Sequence, residues 1–283
     1  MGALSASLGG CASSPSFLLP AGPIAGEDRH LLVIVLLLLL IVVVPVFVGL
    51  PWVLWRYRRG NAKASYQPRW DFSKPLEFAI WGVPALIVVI LGWQLWVTTH
   101  RLDPYKRLPG NGDALEVQAI ALDWKWLFIY PQQNVATVNR LVIPVGRPVH
   151  IDLTSDTVMQ SLMIPQLAGQ IYAMAGMRTQ LNLRADRPGA YFGENTQYNG
   201  DGFHEQNFVT DAVPAAAFQA WAKKAAQGNL TLDDARYDIL SRQSTLPRPL
   251  AFSSVSPGLF QQIVDKYHGH APQAAPRREA SRQ

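Results

Sequence analysis

Two long stretches without a charged residue dominate the first hundred residues of the chain. The first covers 31–55 and the second covers 78–99. Because an α-helix rises about 1.5 Å per residue, each run is long enough to cross a hydrocarbon core of about 30 Å. Tryptophans lie near the ends of both runs, where aromatic residues favour the lipid–water interface. A buried core helix of this length rarely lacks charges, so the pattern predicts two transmembrane helices, at 31–55 and 78–99.

The segment between these runs, 56–77, carries six basic residues and two acidic ones. Short loops rich in lysine and arginine stay on the cytoplasmic side of a membrane. We therefore expect this loop to be cytoplasmic and both ends of the chain to be outside. In a bacterium, this arrangement describes a multi-pass protein of the inner (cell) membrane whose soluble part, residues 100–283, is periplasmic.

Beyond residue 110 the pattern changes to short segments that alternate between apolar and polar residues. Such alternation occurs at 114–122, 149–154 and 179–185, with prolines and glycines between the segments. This spacing is typical of half-buried strands in an all-β sandwich or barrel, which we assign to 110–213. Residues 214–270 follow as an aromatic-rich extension with helical spacing at 215–227 and 259–268 and an irregular stretch between. We expect this extension to lie against the sandwich or against another subunit. We expect the tail, 271–283, to be solvated and disordered.

The net charge of +5 changes this picture little. The basic residues concentrate in the predicted cytoplasmic loop and in the tail, so no nucleic-acid partner is expected.

The single cysteine, Cys11, excludes an internal disulfide and a CxxC metal site. It follows Leu8, Gly9 and Gly10, and this pattern resembles the lipobox of bacterial lipoproteins, in which the cysteine is lipidated after cleavage. We expect residues 1–10 to be a residual leader, 11–30 an external segment, and Cys11 a lipidation site. The preceding stretch is too short for a complete signal peptide, and the alternative is a free cysteine in a disordered leader.

Several motifs between residues 30 and 270 resemble subunit II of the haem-copper respiratory oxidases. They are DWKW at 123–126, SLMIP at 161–165, QIYAMAGM at 170–177, RPGAYFG at 187–193 and the aromatic-rich run 237–263. The segment 170–177 matches the quinol-oxidising branch of that family particularly closely. The resemblance implies a membrane α-hairpin followed by an all-β, cupredoxin-like Greek-key sandwich with a short helical C-terminal extension.

The copper-bearing members of this family hold two coppers with two cysteines, two histidines and a methionine at fixed spacing, a set of soft thiolate, thioether and imidazole ligands. The corresponding positions here are Gln160, Asn195, Asn199, Phe203 and Gln206. The position of the family's magnesium-binding glutamate is Gln197. His204 lies one residue from a ligand position, but a lone histidine beside Glu205 is more often a solvated loop residue. The sequence therefore predicts a cupredoxin domain without its copper.

The resemblance implies a structural subunit of a ubiquinol oxidase, best matched by the enzymes with haems b and o. Such a complex oxidises ubiquinol, reduces O2 to water and translocates protons. We expect no cofactor and no catalytic residue in this chain, because the haems, the remaining copper and the quinol site would lie in subunit I. The expected partners are subunit I, other oxidase subunits, membrane lipid and, through subunit I, ubiquinol, but not cytochrome c. Two alternatives are a copper-bearing cytochrome c oxidase subunit and a stand-alone membrane-tethered binding lipoprotein.

Three further residues receive roles from the resemblance. Glu77 begins the second apolar helix, where the family has a glutamate at the entrance of a proton-uptake channel; the alternative is a helix-start carboxylate stabilised by the helix dipole. In copper-bearing relatives, a tryptophan at the position of Trp124 passes electrons to the metal. Without a metal, we interpret Trp124 and Trp126 as packing residues.

Overall fold

The structure is a computed structural model, and it describes residues 16–61 and 69–268. The chain divides into two compact units, one made of residues 27–103 and the other of the residues on either side of it. The first unit holds most of helix α1 (Pro23–Arg56) and all of helix α2 (Lys74–Arg101). The second unit holds all of the strands.

Helices α1 and α2, with 34 and 28 residues, are long and apolar enough to cross a membrane. Each extends past its uncharged run, because polar residues at the ends continue the helical hydrogen bonding. Pro75 lies in the first turn of α2, where its missing N–H costs nothing. Large apolar side chains such as Phe47, Val48 and Trp93 are exposed along both helices. Such surfaces are unfavourable in water and suit a lipid environment.

The second unit is built from two large sheets and a small parallel one. The strands are β1 (Leu115–Leu122), β2 (Lys125–Tyr130), β3 (Val135–Val138), β4 (Arg140–Pro144), β5 (Val149–Ser155), β6 (Gln160–Ile164), β7 (Ala168–Ala173), β8 (Thr179–Leu183), β9 (Gly189–Asn195), β10 (Asn207–Val213), β11 (Thr231–Leu232), β12 (Leu250–Phe252) and β13 (Ser254–Val255). Of the two large sheets, the larger has the order β12-β3-β2-β1-β5-β8 and the smaller has the order β4-β10-β9-β6-β7, while the small parallel sheet pairs β11 with β13. The three alternating segments in the sequence correspond to β1, β5 and β8, which confirms the predicted sandwich.

The core between the two sheets is aromatic at its centre. Trp126 and Phe128 from β2 pack against Phe208 from β10, with ring centroids 5.0 to 6.4 Å apart. The buried hydroxyl of Tyr130 donates to the carbonyl of Val142 and accepts from its N–H, so the one polar atom of this ring is paired. Trp126 is fully buried, which confirms its interpretation as a packing residue.

Most of the C-terminal extension packs on the outer face of the larger sheet, whereas Phe218 of its first helix joins the core between the two sheets. It contains α3 (Ala215–Ala226), α4 (Asp234–Ser241) and α5 (Leu259–Lys266), and β12 adds a strand to the sheet edge. A second core forms between the sheet and the extension; its members include Ile120, Leu122, Leu127, Tyr237, Phe260 and Ile263. The extension therefore lies against the sandwich, which is one of the two expected positions.

The prediction of an irregular stretch between the two helices was wrong. It contains α4 and three short strands. The carboxylate of Asp233 accepts from the backbone N–H of Arg236 and so stabilises the first turn of α4. With Tyr237 and Leu240 as its buried residues, the helix is too short and too polar to produce a clear periodic pattern.

Candidate functional site

The five positions that hold copper in the resembling family lie at one end of the sandwich. Gln160 begins β6, Asn195 ends β9, and the loop after β9 carries the remaining three. A short 3-10 helix, Phe203–Glu205, returns the chain to β10. Since β6 and β9 are neighbours in the smaller sheet, this topology brings Gln160, Asn195, Asn199 and Gln206 together. We refer to these four side chains as the amide cluster.

Gln206 is the central residue of the amide cluster and is almost completely buried. Its side-chain oxygen accepts from Nδ2 of Asn195 at 3.0 Å and from Nδ2 of Asn199 at 2.7 Å. Its Nε2 donates to Oε1 of Gln160 at 2.5 Å and to the carbonyl of Leu122 at 3.1 Å. A glutamine has two acceptor lone pairs and two donor hydrogens, so the hydrogen-bonding capacity of Gln206 is used.

The outer members of the amide cluster are anchored to the backbone. Nε2 of Gln160 donates to the carbonyl of Leu122 at 3.2 Å and to the hydroxyl of Thr157 at 2.8 Å. Oδ1 of Asn195 accepts from the N–H groups of Ser161 and Gln197, at 2.9 and 3.0 Å. The cluster thus fixes the loop after β9 to β6 and to the end of β1 through hydrogen bonds.

An aromatic group closes this end of the sandwich. Phe203 packs edge-on against Tyr198, with ring centroids 5.6 Å apart. Trp124 adopts a positive φ of 64° and lies over Gly202, where an added Cβ would lie 2.2 Å from the indole ring. The Trp124 indole also donates to the carbonyl of Asn199 at 3.3 Å. Trp124 is therefore a packing residue of the loop, and the absence of a Cβ at Gly202 makes that packing possible.

The chemistry of these donors does not fit a dinuclear copper centre. Amide oxygens and N–H groups are poor substitutes for the bridging thiolates and imidazoles that copper requires, and the Phe203 ring supplies no ligand. The lone pairs of Gln206 are already occupied by N–H donors. His204 points away as a solvated residue with its side chain 74% exposed, 3.5 Å from the carboxylate of Glu205.

Next to the amide cluster lies a buried charge that the sequence did not reveal. Lys125 at the start of β2 is fully buried, and its Nζ donates to the carbonyl of Arg242 and to the hydroxyl of Ser244, both at 2.7 Å. Burial lowers the pKa of the Lys125 ammonium to about 8, and the Asp123 carboxylate opposes that shift. Lys125 links the cupredoxin domain to the extension immediately after α4.

A second link to the extension centres on Asp156, just after β5. Its buried carboxylate accepts from the hydroxyl of Tyr237 at 2.7 Å and from Nζ of Lys266 at 2.8 Å. The hydroxyl of Tyr267 donates to the Asp156 carbonyl at 2.6 Å. Burial beside this carboxylate raises the pKa of Tyr237 and raises that of Tyr267 to about 12. Both phenols therefore remain protonated donors at neutral pH and hold the extension in place.

Glu77 lies in the first turn of α2 and is exposed. Its Oε2 accepts from the indole N–H of Trp81, one turn later, at 3.1 Å. This position agrees with both interpretations of the residue, so its proton-uptake role stays a prediction. Cys11, the predicted lipidation site, lies outside the described residues.

The chain matches two family models, one for each part of the periplasmic unit. Residues 108–213 match "Cytochrome C oxidase subunit II, periplasmic domain", and residues 226–271 match "COX Aromatic Rich Motif". The first match coincides with the sandwich and the second with most of the extension. Two apolar helices, this sandwich and this extension define a membrane-anchored oxidase subunit of the subunit II type.

Relatives that match most of the chain identify the family within this class of oxidase subunits. The chain is 42% identical to the cytochrome bo(3) ubiquinol oxidase subunit 2 of Pseudomonas aeruginosa, over 95% of this chain and 81% of the relative. It is 43% identical to the ubiquinol oxidase subunit 2 of Acetobacter aceti, over 95% and 88%. It is 37% identical to the quinol oxidase subunit 2 of Bacillus subtilis, over 87% and 77%. The chain therefore belongs to the quinol oxidase subunit 2 family. These relatives favour neither the copper-bearing cytochrome c oxidase subunit nor the stand-alone lipoprotein.

Proposed function

We propose that this chain is the non-redox, structural subunit II of a terminal oxidase that takes electrons from ubiquinol, reduces O2 to water and translocates protons. The amide cluster carries this proposal. A domain whose metal positions are filled by mutually bonded amides cannot accept electrons from cytochrome c through copper. Electrons would then enter the complex from quinol, which the relatives' names give as the substrate of their own complexes. We place that entry in another subunit.

In this proposal, the chain has a structural role in the assembly of the oxidase complex. Helices α1 and α2 anchor it in the bacterial inner membrane, with the loop 56–77 in the cytoplasm and the sandwich in the periplasm. The haems and copper belong to subunit I, and this chain holds no redox cofactor. A lipid on Cys11 would add a further anchor beside the two helices. Mass spectrometry of the mature chain would detect this lipid, and an unmodified Cys11 would contradict the proposed lipidation.

The electron donor is tested on the purified complex by oxygen consumption. We expect turnover with a reduced ubiquinol analogue and none with reduced cytochrome c, together with a haem spectrum from the partner subunit. Oxidation of cytochrome c at a rate comparable to that of quinol would overturn the proposal. So would purification of the chain alone, without haem, from native membranes.

We also propose that Glu77 lies at the entrance of a proton-uptake path into subunit I. An ionisable group at the membrane edge can exchange protons with water and pass them inward. Glu77→Gln keeps the acceptor for the Trp81 N–H but removes ionisation, so we expect slower oxygen consumption per haem. Glu77→Asp retains a carboxylate, so its loss should be smaller.

Asp71→Asn is the matched control, since it removes another exposed carboxylate six residues earlier, just before α2 begins. It should leave turnover unchanged. If Glu77 is only a helix-start carboxylate, its loss costs about 0.3–1 kcal/mol of helix stability and no activity. Wild-type rates for Glu77→Gln across the range from about pH 6 to about pH 9 would reject the relay role.

A further inference from the structure

The outer face of the larger sheet carries a polar cluster that the oxidase function does not use. Glu116 lies on β1, and His150 and Asp152 lie on β5. The parallel register of β1 and β5 pairs Glu116 with His150, and the two-residue period of a strand puts Asp152 on the same face as His150. One potential ligand atom from each side chain lies within 4.8 Å of the other two. We call these three residues the Glu–His–Asp triad.

The orientation of the His150 ring is fixed by β8. Its Nδ1 lies 2.9 Å from Oδ1 of Asn182, and Nδ2 of Asn182 donates to the carbonyl of Pro104 at 2.9 Å. Because the Asn182 nitrogen is committed to Pro104, its oxygen must accept, so Nδ1 of His150 carries the hydrogen. Nε2 therefore faces the carboxylates, 3.5 Å from Oδ1 of Asp152 and 3.9 Å from Oε2 of Glu116.

Asp152 supplies an independent sign that a ligand belongs here. Its side chain is 7% exposed, and its Oδ2 is paired with the guanidinium of Arg178. Its Oδ1, which faces Nε2 of His150, is buried and has no hydrogen-bond partner within the described part of the chain. A buried carboxylate oxygen without a partner is costly, and most such atoms bind a donor, water or a cation.

We propose that the Glu–His–Asp triad binds one divalent transition-metal ion of the zinc class. Imidazole nitrogen and carboxylate oxygen are ligands that zinc accepts, and bonds of about 2.0–2.2 Å to a tetrahedral ion separate the ligand atoms by about 3.3–3.5 Å. The separations from Nε2 of His150 are close to that value, so small side-chain movements complete the site. Water supplies the remaining coordination.

Two neighbouring residues already hold the ligands as metal-binding proteins usually do. Asn182 accepts the second N–H of His150, which fixes the tautomer that ligates through Nε2. Arg178 holds the far oxygen of Asp152 and leaves Oδ1 directed at the triad. The guanidinium of Arg178 also lies over the Phe260 ring of α5, 5.8 Å from its centroid. An ion here would therefore stabilise β1, β5 and the contact with the extension together.

The competing occupant is a proton on Nε2 of His150. The Asp152 carboxylate, opposed by burial and assisted by Asn182 and Glu116, raises the pKa of His150. The charged groups facing the ring are Glu116 and Asp152, with Arg178 on Asp152 and Arg107 3.5 Å from Glu116. A protonated ring would satisfy the same carboxylates without metal, so proton and ion exclude each other.

The test uses the full chain purified in detergent, which makes it independent of the oxidase assignment. Wild-type chain, His150→Gln and Glu116→Gln are equilibrated with zinc at neutral pH and passed through metal-free buffer, and zinc per chain is measured by elemental analysis. The matched control is His204→Gln, since His204 is also 3.5 Å from a carboxylate but has no third ligand in the described structure. We expect each triad variant to retain one zinc fewer than the wild type and the control.

Thermal unfolding separates loss of the site from loss of the fold. Zinc should raise the Tm of the wild type and of His204→Gln and leave that of Glu116→Gln unchanged, while all three unfold cooperatively without zinc. Glu116 is half-buried, so replacing its carboxylate with an amide should disturb the fold less than replacing the buried His150. Equal zinc content in the wild type and both triad variants would overturn the proposal. So would a Tm that rises on acidification to about pH 5 but not with zinc, which would assign the site to the proton.

Discussion

The amide cluster and the Glu–His–Asp triad are two buried polar groups of the same sandwich with opposite hydrogen-bonding balance. In the amide cluster, each side chain brings both donors and acceptors, and Gln206 pairs with its neighbours and with the backbone. In the triad, a ring nitrogen and two carboxylates bring acceptors together, and Oδ1 of Asp152 stays unpaired. At the copper-ligand positions, the central residue Gln206 therefore has no free donor or acceptor. Within the described residues, Oδ1 of Asn199 is buried there without a hydrogen-bond partner, but it is a neutral amide oxygen, whereas Oδ1 of Asp152 belongs to a carboxylate.

This difference shows that location within a metalloprotein fold is a poor guide to metal binding. Affinity depends on the type of donor and on whether its lone pairs are already used. Neutral amides neither attract a cation strongly nor titrate. The triad changes charge with its occupant, so it is the region in which ions and pH should act.

The largest expected effect comes from removing the centre of the amide cluster. Gln206→Leu keeps most of the side-chain volume but leaves Asn195, Asn199 and Gln160 without their shared partner. A buried polar group left unpaired costs about 1–3 kcal/mol, so we expect the free energy of unfolding to fall by about 3 kcal/mol. Thermal or denaturant unfolding of the full chain in detergent measures the change.

Gln197→Leu is the matched control for that variant. Gln197 lies in the same loop, but within the described residues its side chain makes no hydrogen bond; only its backbone contacts Asn195. Its replacement should change stability by less than about 0.5 kcal/mol. Equal losses for Gln206→Leu and Gln197→Leu would mean that loop packing, and not the amide hydrogen bonds, holds this end of the sandwich.

A smaller effect concerns how folding stability depends on pH at this end of the sandwich, where the amides themselves do not titrate. Lys125 is the titrating side chain beside it, with a folded pKa of about 8 against an ordinary value of 10.5. Between these values the unfolded chain holds a proton that the folded chain has lost, so unfolding takes up a proton. Stability should therefore rise as pH increases through this window, by on the order of 1 kcal/mol, because the hydrogen bonds of the ammonium to Arg242 and Ser244 offset part of the effect of burial.

Lys125→Met removes this contribution while keeping an unbranched side chain. Denaturant unfolding of the wild type and the variant at several pH values from about 7 to about 10 gives the difference directly. We expect the two stabilities to diverge as pH rises above 8. Parallel curves would show that the Lys125 ammonium remains charged and that its bonds to Arg242 and Ser244 outweigh its burial.

Much of the fold follows from the sequence because its signals are local. The uncharged runs became α1 and α2, and the alternation at 149–154 became β5. The family pattern identified Gln160 and Gln206 as former ligand positions. Local patterns failed at α4, whose eight residues bury only Tyr237 and Leu240.

The contacts within both polar groups could not be predicted, because they depend on sheet topology. Gln160 and Gln206 are 46 positions apart, and their hydrogen bond requires that β6, β9 and β10 be neighbours in one sheet. The VHIDLT segment puts His150 and Asp152 on one face, which was a usable signal. Glu116 joins them only through the parallel register of β1 with β5, and no periodicity in the sequence reveals that register.

The shared hydrogen bonds of the amide cluster also restrict which substitutions the fold can accept at these positions. Asn195 is at the position of the first family cysteine. Replacing it with cysteine would remove the acceptor for the N–H groups of Ser161 and Gln197 and the N–H that donates to the Gln206 oxygen. One thiolate without its partners does not assemble a dinuclear centre, so the first step back towards copper loses stability and returns no electron transfer. The stability of the fold therefore opposes a stepwise return to copper binding at these positions.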